Sequence, residues 1–364
     1  MAQAFASPSK YVQGYDELSR IKKHISHLGD SIFIIASKSR LADLRVVIQD
    51  SFKDTKISLT FEPFAGECSK QEVDRLREIM QANGCNVIVG IGGGKAIDTA
   101  KAVAYYEKLP VTIVPTVASS DAPTSGMVIY YHEDGTFHEV LVTRRNPNIV
   151  LVDTRIIAHA PVRLLVAGMG DALSTYFEAR TCVGSHRKNF VGGTSTLASY
   201  ELAKLCYKTL LADGAAAIRA VKNQVVTKSL ENIIETNTLL SGIGAESNGV
   251  SSAHSIYFGF TILPGSHNRF HGEWVAFGTI AMLVLENRPQ EEIDEVIRFC
   301  RSVGLPTTLA DLGLENLSRD DLLRVAQAAS APKESIHTEP FPVTANEVLA
   351  SILVADSIGQ SYGK

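Results

Sequence analysis

Residues 87–98 read VIVGIGGGKAID and decide the fold of the first half of the chain. An apolar strand leads directly into the consecutive glycines Gly92, Gly93 and Gly94, and a helix with an apolar face follows Lys95. Glycines let a phosphate group come close to the backbone, and the free N–H groups at a helix N-terminus attract anions. The stretch therefore predicts a phosphate-binding turn between a buried strand and a helix.

This stretch matches neither of the two common phosphate-binding fingerprints. The dinucleotide pattern G-x-G-x-x-G requires Gly where this chain has Lys95, and the Walker loop requires Ser or Thr where it has Ala96. A tight turn without a ligand is the alternative. Three adjacent glycines lose more conformational entropy on folding than a tight turn alone requires, and this favours phosphate binding.

The sequence around the glycines alternates between strand-like and helix-like segments up to about residue 155. Apolar, mostly β-branched runs predict strands at 31–36, 57–62, 86–89, 111–114 and 149–152. Asp134-Gly135, inside the alternating segment 129–142, predicts a hairpin. This pattern is typical of a mostly parallel sheet covered by helices.

After Pro161 the strand signals end and long helical patterns begin. They cover 162–183, 193–212, 215–240, 272–285 and 291–303. We therefore predict two domains, an α/β domain in residues 1–160 and an all-helical domain in residues 161–364. A cleft between two such domains is a common place for a cofactor and a substrate to meet.

Composition and charge favour a globular protein and disfavour a nucleic-acid-binding or membrane protein. A hydrophobic content of 45% and a charged content of 20% are typical of a compact globular protein, and a net charge of −4 does not favour nucleic acid or anionic membranes. No apolar run approaches the ~20 residues of a membrane span, and the N-terminus carries no signal-like run. The five cysteines form no CxxC motif, which predicts buried free thiols in a reducing cytoplasm.

Two further groups of residues carry candidate chemistry. Residues 115–126, PTVASSDAPTSG, follow a predicted strand and gather hydroxyl groups around Asp121; alone they are an ordinary polar loop, but open α/β sheets bind ligands at such strand ends. In the helical half, Asp171, His254 and His271 are 83 and 17 residues apart, which is not diagnostic of a metal site. Each could be structural, although one Asp and two His would form a typical three-ligand catalytic site with open positions.

Several segments taken together resemble the glycerol dehydrogenases of the iron-containing alcohol dehydrogenase superfamily. They are GIGGGKAIDTAKA (90–102), PTVASSDAPTSG (115–126), NPNIVLVD (146–153), AGMGDALSTYFEA (167–179) and HGEWVAFGT (271–279). The likeness runs nearly end to end, from SPSKYVQG near the N-terminus to ILVADSIGQ (352–360). It implies a Rossmann-like domain that binds a nicotinamide cofactor and an all-helical domain that binds metal and substrate, an architecture shared with dehydroquinate synthase.

The resemblance also implies a set of site residues. Asp171, His254 and His271 fall where the family holds Zn²⁺ between its domains, and the same ligand types also suit Fe²⁺ or Mn²⁺. Asp121 falls where the family contacts glycerol, which completes the implied catalytic set. Cofactor contacts are implied for Gly92, Gly93, Gly94, Lys95 and Asp98 in the glycine stretch, and for Thr116, Ser119, Ser125, Met127 and Tyr131 beyond it.

The reaction implied by the family is the reversible oxidation of glycerol to dihydroxyacetone with NAD, in which a divalent metal acts as a Lewis acid. Another small diol, polyol or 2-hydroxy acid on the same site is the nearest alternative. A lyase of the dehydroquinate synthase kind would need a cationic pocket that the sequence does not show. A nucleotide-binding protein without catalysis is disfavoured by the intact ligands, and family likeness implies a homo-oligomer.

Two departures from the family lie near the metal ligands. Tyr257-Phe258 stand where members often carry His-Asn, and His267-Asn268 stand where they usually carry two histidines. The metal ligands themselves are retained. We therefore expect these departures to affect the preference among polyols.

A third departure, Ser37, concerns the cofactor. Members commonly place an Asp after the first strand, where it binds the adenosine ribose and repels a 2′-phosphate. Ser37 can still hydrogen-bond a ribose hydroxyl but carries no charge, and Lys38 and Arg40 could attract a phosphate. The sequence therefore predicts use of NAD together with some use of NADP.

Overall fold

The computed structural model describes residues 1–38 and 40–362, apart from the side chain of His267. These residues form two compact units. One consists of Ala6–Ala160 and Ala220–Gly242, and the other of Met1–Phe5, Pro161–Arg219 and Ile243–Lys364. The sequence predicted a single division at residue 160, whereas the segments 1–5 and 220–242 each lie in the other unit from the one expected.

Eight strands lie in the first unit. They are β1 (Lys10–Gly14), β2 (Ser31–Ser37), β3 (Ser58–Phe64), β4 (Val87–Gly92), β5 (Val111–Pro115), β6 (Met127–Tyr131), β7 (Phe137–Val142) and β8 (Ile149–Asp153). Six of them form a parallel sheet in the order β1-β8-β5-β4-β2-β3, and β6 and β7 form a separate antiparallel hairpin. The predicted α/β fold class, with a parallel sheet and a helical second half, is confirmed.

The helices are numbered in chain order. They are α1 (Ile21–Ile25), α2 (Leu41–Phe52), α3 (Lys70–Ala82), α4 (Gly94–Glu107), α5 (Thr154–Ala158), α6 (Val162–Gly184), α7 (Leu197–Lys222), α8 (Lys228–Glu235), α9 (Ser241–Asn248), α10 (Ser252–Phe260), α11 (His271–Leu285), α12 (Gln290–Val303), α13 (Arg319–Ala329) and α14 (Ala345–Ser361). A π-helical turn, Thr236–Leu240, joins α8 to α9.

The order of the strands creates a switch point in the sheet. β2 continues through α2 to β3 on one side, whereas β4 continues through α4 to β5 on the other side. β2 and β4 are neighbours, with Ala36 opposite Ile91, so the connections that leave these two strands diverge. Open α/β sheets bind ligands at such a point.

The segment 220–242 belongs to the sheet unit because its side chains and backbone contact β1 and the loop after β5. The Thr238 hydroxyl lies 3.0 Å from the Tyr11 hydroxyl, and the Gln13 amide donates to the Glu231 carbonyl at 2.9 Å. The Asn237 amide donates to the carbonyl of Ala118 at 2.9 Å. These are non-local contacts that helical periodicity does not reveal.

All five cysteines are buried and free, as the sequence predicted. The helices within the described residues include none that combines the length and the apolar character needed to cross a membrane.

Candidate functional site

Three side chains that the sequence singled out lie together in the helical unit. Asp171 lies in α6, His254 in the first turn of α10, and His271 at the first position of α11. Their ligand atoms all lie within 4.8 Å of one another, with Nε2 of His271 and of His254 at 3.1 and 3.7 Å from Oδ1 of Asp171. Zinc bonds of about 2.0–2.2 Å place tetrahedral ligands roughly 3.4 Å apart. The three side chains therefore fit a divalent metal with an open coordination position.

Two glycines beside these ligands let α6 and α11 come into backbone contact. Gly170 precedes Asp171, and Gly272 follows His271. A Cβ added to Gly272 would lie 1.7 Å from the carbonyl oxygen of Ala167, and one added to Gly170 would lie 2.2 Å from the carbonyl oxygen of Gly272. Side chains at these positions would push the two helices apart, and the carboxylate and imidazole with them.

A third glycine sets the position of α10 in the same way. A Cβ on Gly278, in α11, would lie 2.5 Å from the carbonyl oxygen of Ala253, the residue before His254. Small residues thus bring all three ligand-bearing helices close together.

His254 is held by a carboxylate that the sequence analysis missed, that of Glu178. Its Oε2 lies 2.6 Å from Nδ1 of His254, and its Oε1 accepts hydrogen bonds from the backbone N–H groups of Ser251 and His254 at 2.8 and 3.0 Å. Glu178 follows Asp171 by seven residues in α6. Residues seven apart share one face of a helix, so this spacing was the signal that could have identified it.

The charges in this cluster favour a cation. Burial raises the pKa of the Asp171 carboxyl, but the two imidazoles outweigh burial and hold that pKa below its usual range. Burial lowers the pKa of His254, but the carboxylates of Glu178 and Asp171 outweigh it and raise that pKa well above its usual range. Protons and a metal ion therefore compete for the same position.

Tyr257, one of the departures from the family, lies against a ligand. Its ring meets the ring of His271 edge-on, with centroids 4.5 Å apart, and the ring of Phe258 lies 5.1 Å away. Burial, followed by the charge of Asp171, raises the pKa of Tyr257 to about 12, so its phenol stays protonated at neutral pH. The other departure from the family includes His267, whose side chain the structure does not describe.

In the sheet unit, the glycine stretch forms the turn from β4 into α4. Gly92 ends the strand, Gly93 caps the helix without a side chain, and Gly94 begins it. An added Cβ would lie 3.5 Å from Val117 at Gly93 and 3.9 Å from Ser120 at Gly94, both ordinary contact distances. The fold itself does not require glycine at these two positions. A phosphate lying against the start of the helix would require it, because a side chain would occupy the same space.

The polar loop after β5 lies beside this turn. The backbone N–H of Thr116 donates to the carbonyl of Gly92 at 3.0 Å, and the half-buried Ser119 and Asp121 follow in the same loop. Lys95 does not extend freely into solvent, because its Nζ lies 2.5 Å from Glu67 Oε1 and 4.9 Å from the centroid of the Tyr131 ring. These residues surround one end of the parallel sheet.

Asp98, which the resemblance placed among the cofactor contacts, forms a buried ion pair, and its contact with a cofactor stays a prediction. It is only 5% exposed, its Oδ1 lies 2.9 Å from Lys101 Nζ, and its Oδ2 accepts from the backbone N–H of Ile129 at 2.9 Å. Lys101 in turn donates to three backbone carbonyls, those of Ala122, Ser125 and Met127. The Asp98–Lys101 pair therefore links α4 by hydrogen bonds to the polar loop and to β6 of the hairpin.

Ser37 ends β2, directly after Ala36, which lies opposite Ile91 of β4. It is half-buried at the switch point of the sheet, and the flanking Lys38 and Arg40 are exposed. This is the strand end at which dinucleotide folds place the acid that binds the adenosine ribose. Its contact with a cofactor stays a prediction.

Known proteins similar to this chain include several glycerol dehydrogenases. The family model for iron-containing alcohol dehydrogenases matches residues 8–154. A glycerol dehydrogenase of Citrobacter freundii is 50% identical over 364 residues, which cover 100% of this chain and 99% of that protein. One of Escherichia coli is 46% identical over 362 residues, with coverage of 100% and 99%. The crystal structure of glycerol dehydrogenase from Schizosaccharomyces pombe, 37% identical, matches with a TM-score of 0.96 over 99% of this chain and 92% of that one.

Proposed function

This chain belongs to the glycerol dehydrogenases of the iron-containing alcohol dehydrogenase family, and from that premise we propose that it oxidises glycerol reversibly to dihydroxyacetone with NAD. The observation that carries the proposal is the convergence of Asp171, His254 and His271 in the helical unit. An alcohol dehydrogenase needs a group that stabilises negative charge on the substrate oxygen, and these three side chains are suited to hold one.

We assign Zn²⁺ to the three side chains, because one carboxylate oxygen and two imidazole nitrogens with an open position are typical of catalytic zinc sites. When bound, the ion acts as a Lewis acid that acidifies the substrate hydroxyl. Fe²⁺ and Mn²⁺ accept the same donors, so elemental analysis of the purified protein identifies the native ion. The side chains of His254 and His271 are 13% and 34% exposed, so solvent reaches them and can take up the hydroxyl proton.

We assign the cofactor to the sheet unit; when bound, it would supply the acceptor for the hydride that leaves C2 of glycerol. The helix start at Gly93 and Gly94, with space beside it and no side-chain cap, supports a pyrophosphate there. The polar loop beside it carries further candidates for the nicotinamide half and for the substrate hydroxyls: Thr116, Ser119, Ser125, Met127, Tyr131 and, for the substrate, Asp121.

The function is tested by following NADH absorbance with glycerol and a panel of diols and 2-hydroxy acids. We expect turnover with glycerol that is lost after dialysis against a strong chelator and recovered when Zn²⁺ is added, because the ion supplies several kcal/mol of charge stabilisation. Full activity in protein shown by elemental analysis to be free of metal would contradict the metal-dependent mechanism. A substrate other than glycerol with a much higher kcat/KM would contradict the substrate assignment.

A second prediction concerns discrimination between NAD and NADP at Ser37. In Ser37→Asp we expect the ratio of kcat/KM for NAD to that for NADP to rise about tenfold or more, since one charge-assisted hydrogen bond contributes about 1.5–3 kcal/mol. The new carboxylate would accept from the ribose hydroxyls and repel a 2′-phosphate. Ser37→Asn is the control, because it adds similar bulk without charge. An unchanged ratio in Ser37→Asp would contradict the prediction, and a wild-type protein that already prefers NAD by about a thousandfold, about 4 kcal/mol, would contradict its premise that Ser37 permits use of NADP.

A further inference from the structure

We propose that Glu178 is a positioning residue of the metal site, which fixes the tautomer and the orientation of His254 and thereby sets how tightly a divalent ion is held. The inference rests on the proposed metal site and deepens it. Its basis is the way a single buried carboxylate, 1% exposed, joins α6 to the start of α10.

The Glu178 carboxylate is engaged by three groups at once. Oε1 accepts the backbone N–H groups of Ser251 and His254, and Oε2 lies 2.6 Å from Nδ1 of His254. An ionised carboxylate only accepts, so Nδ1 must carry the proton in this pair. The lone pair of the neutral imidazole is then on Nε2, the nitrogen that faces Asp171 at 3.7 Å. A carboxylate bonded to the far nitrogen of a metal-binding histidine orients that ring and raises its basicity.

Glu178 also corrects an unfavourable electrostatic feature of the site. His254 is the third residue of α10 and His271 the first residue of α11, so two helix N-termini lie at the cluster. Helix N-termini carry partial positive charge and repel a cation. Asp171 and Glu178, both almost fully buried, together supply two negative charges that balance a divalent ion.

The beginning of α10 is held from another direction as well. Glu339, 5% exposed, accepts hydrogen bonds from the hydroxyls of Ser251 and Ser252, the first at 3.1 Å. The backbone N–H groups that bind Glu178 therefore belong to a segment with little freedom to move. A change at Glu178 cannot be absorbed by a simple shift of this helix start.

Glutamine separates the positioning role from packing. It has the shape of glutamate but only one acceptor oxygen, and its other end is an NH₂ group. In one orientation the NH₂ faces the two N–H groups of α10, and in the other it faces Nδ1 of His254. The second orientation requires the tautomer with a protonated Nε2, which cannot bind a metal.

The experiment is a titration of metal-free protein with Co²⁺, followed by its visible absorption spectrum. We expect Glu178→Gln to bind Co²⁺ about 10- to 100-fold more weakly than wild type and with an altered spectrum. Glu178→Asp keeps an acceptor-only group and should recover part of the affinity. Glu286→Gln is the matched control: Glu286 caps the C-terminal end of α11, and its carboxylate contacts α6 through Thr181 at 2.5 Å and Arg180 at 3.1 Å. It should lower thermal stability and leave Co²⁺ affinity and spectrum unchanged.

The titration distinguishes failure of the metal site from failure of the role of Glu178. A wild-type protein that binds no Co²⁺ contradicts the metal site itself. Wild-type binding with an unchanged affinity and spectrum in Glu178→Gln overturns the inference about Glu178, and so does an equal loss in Glu178→Gln and Glu286→Gln. If circular dichroism shows that Glu178→Gln does not fold, Glu178→Asp serves as the test, with an affinity below wild type expected and an unchanged one overturning the inference.

Discussion

Replacement of His271 by alanine is expected to lower kcat/KM for glycerol by about a thousandfold or more and to reduce the metal content of the purified protein. Lewis-acid stabilisation contributes several kcal/mol, and a loss of about 4 kcal/mol corresponds to a factor of about a thousand in rate. His271 provides one of three ligands, and its Nε2 lies 3.1 Å from the Asp171 carboxylate. Without His271, two ligands remain, and the buried Asp171 carboxylate loses one of its partners.

The measurement combines elemental analysis with steady-state kinetics. His159→Ala is a suitable control, because His159 is exposed and lies in the sheet unit. Its Nδ1 contacts the backbone carbonyl of Arg155. It should keep full metal content and activity. His271→Ala protein with wild-type metal content and wild-type rate would show that catalysis takes place elsewhere.

The buried strands of the sheet could be predicted from the sequence because their burial on both faces requires uninterrupted apolar residues. β4 and β5 are buried along their entire length, and their runs of Val and Ile predicted them. β1, KYVQG, was not predicted. It is a half-exposed edge strand that pairs only with β8 within the described sheet, so its conformation comes from pairing rather than from an apolar pattern.

Gly214 shows how a tertiary contact can reverse a local signal. The helical patterns predicted one helix ending at residue 212 and another beginning at 215, whereas α7 runs without a break from Leu197 to Lys222. A Cβ at Gly214 would lie 3.1 Å from Phe299 and 3.3 Å from Val303, both in α12. The glycine serves close packing between helices, and its helix-breaking tendency is outweighed.

The three candidate metal ligands came from family resemblance, because spacings of 83 and 17 residues carry no signal of their own. Their proximity arises from the backbone contact between α6 and α11 at Gly170 and Gly272, which is a property of the folded helices. Asp98 was placed among the cofactor contacts by the same resemblance. It stands next to the glycine turn in sequence, but its carboxylate is buried against Lys101.

The glycine turn provides the second large expected effect. In Gly93→Val we expect the affinity for NAD to fall about a hundredfold or more, because loss of two charge-assisted hydrogen bonds to the pyrophosphate costs roughly 3–6 kcal/mol. The backbone of Gly93, with φ −86° and ψ −176°, is an extended conformation that valine adopts readily. The nearest atom to a new Cβ is 3.5 Å away, on Val117, so the fold should tolerate the change.

Calorimetric titration with NAD measures this effect, and Co²⁺ binding by the same variant should match wild type, since the metal ligands lie in the other unit. Gly90→Ala is the contrasting variant. Its Cβ would lie 2.3 Å from Cβ of Ala100 in α4, so it should lower thermal stability by forcing the helix away from the strand. An unchanged NAD affinity in folded Gly93→Val would mean that the glycines shape the turn and do not approach a phosphate. A graded loss from glycine through alanine to valine is the result expected if the ligand lies where the side chain would be.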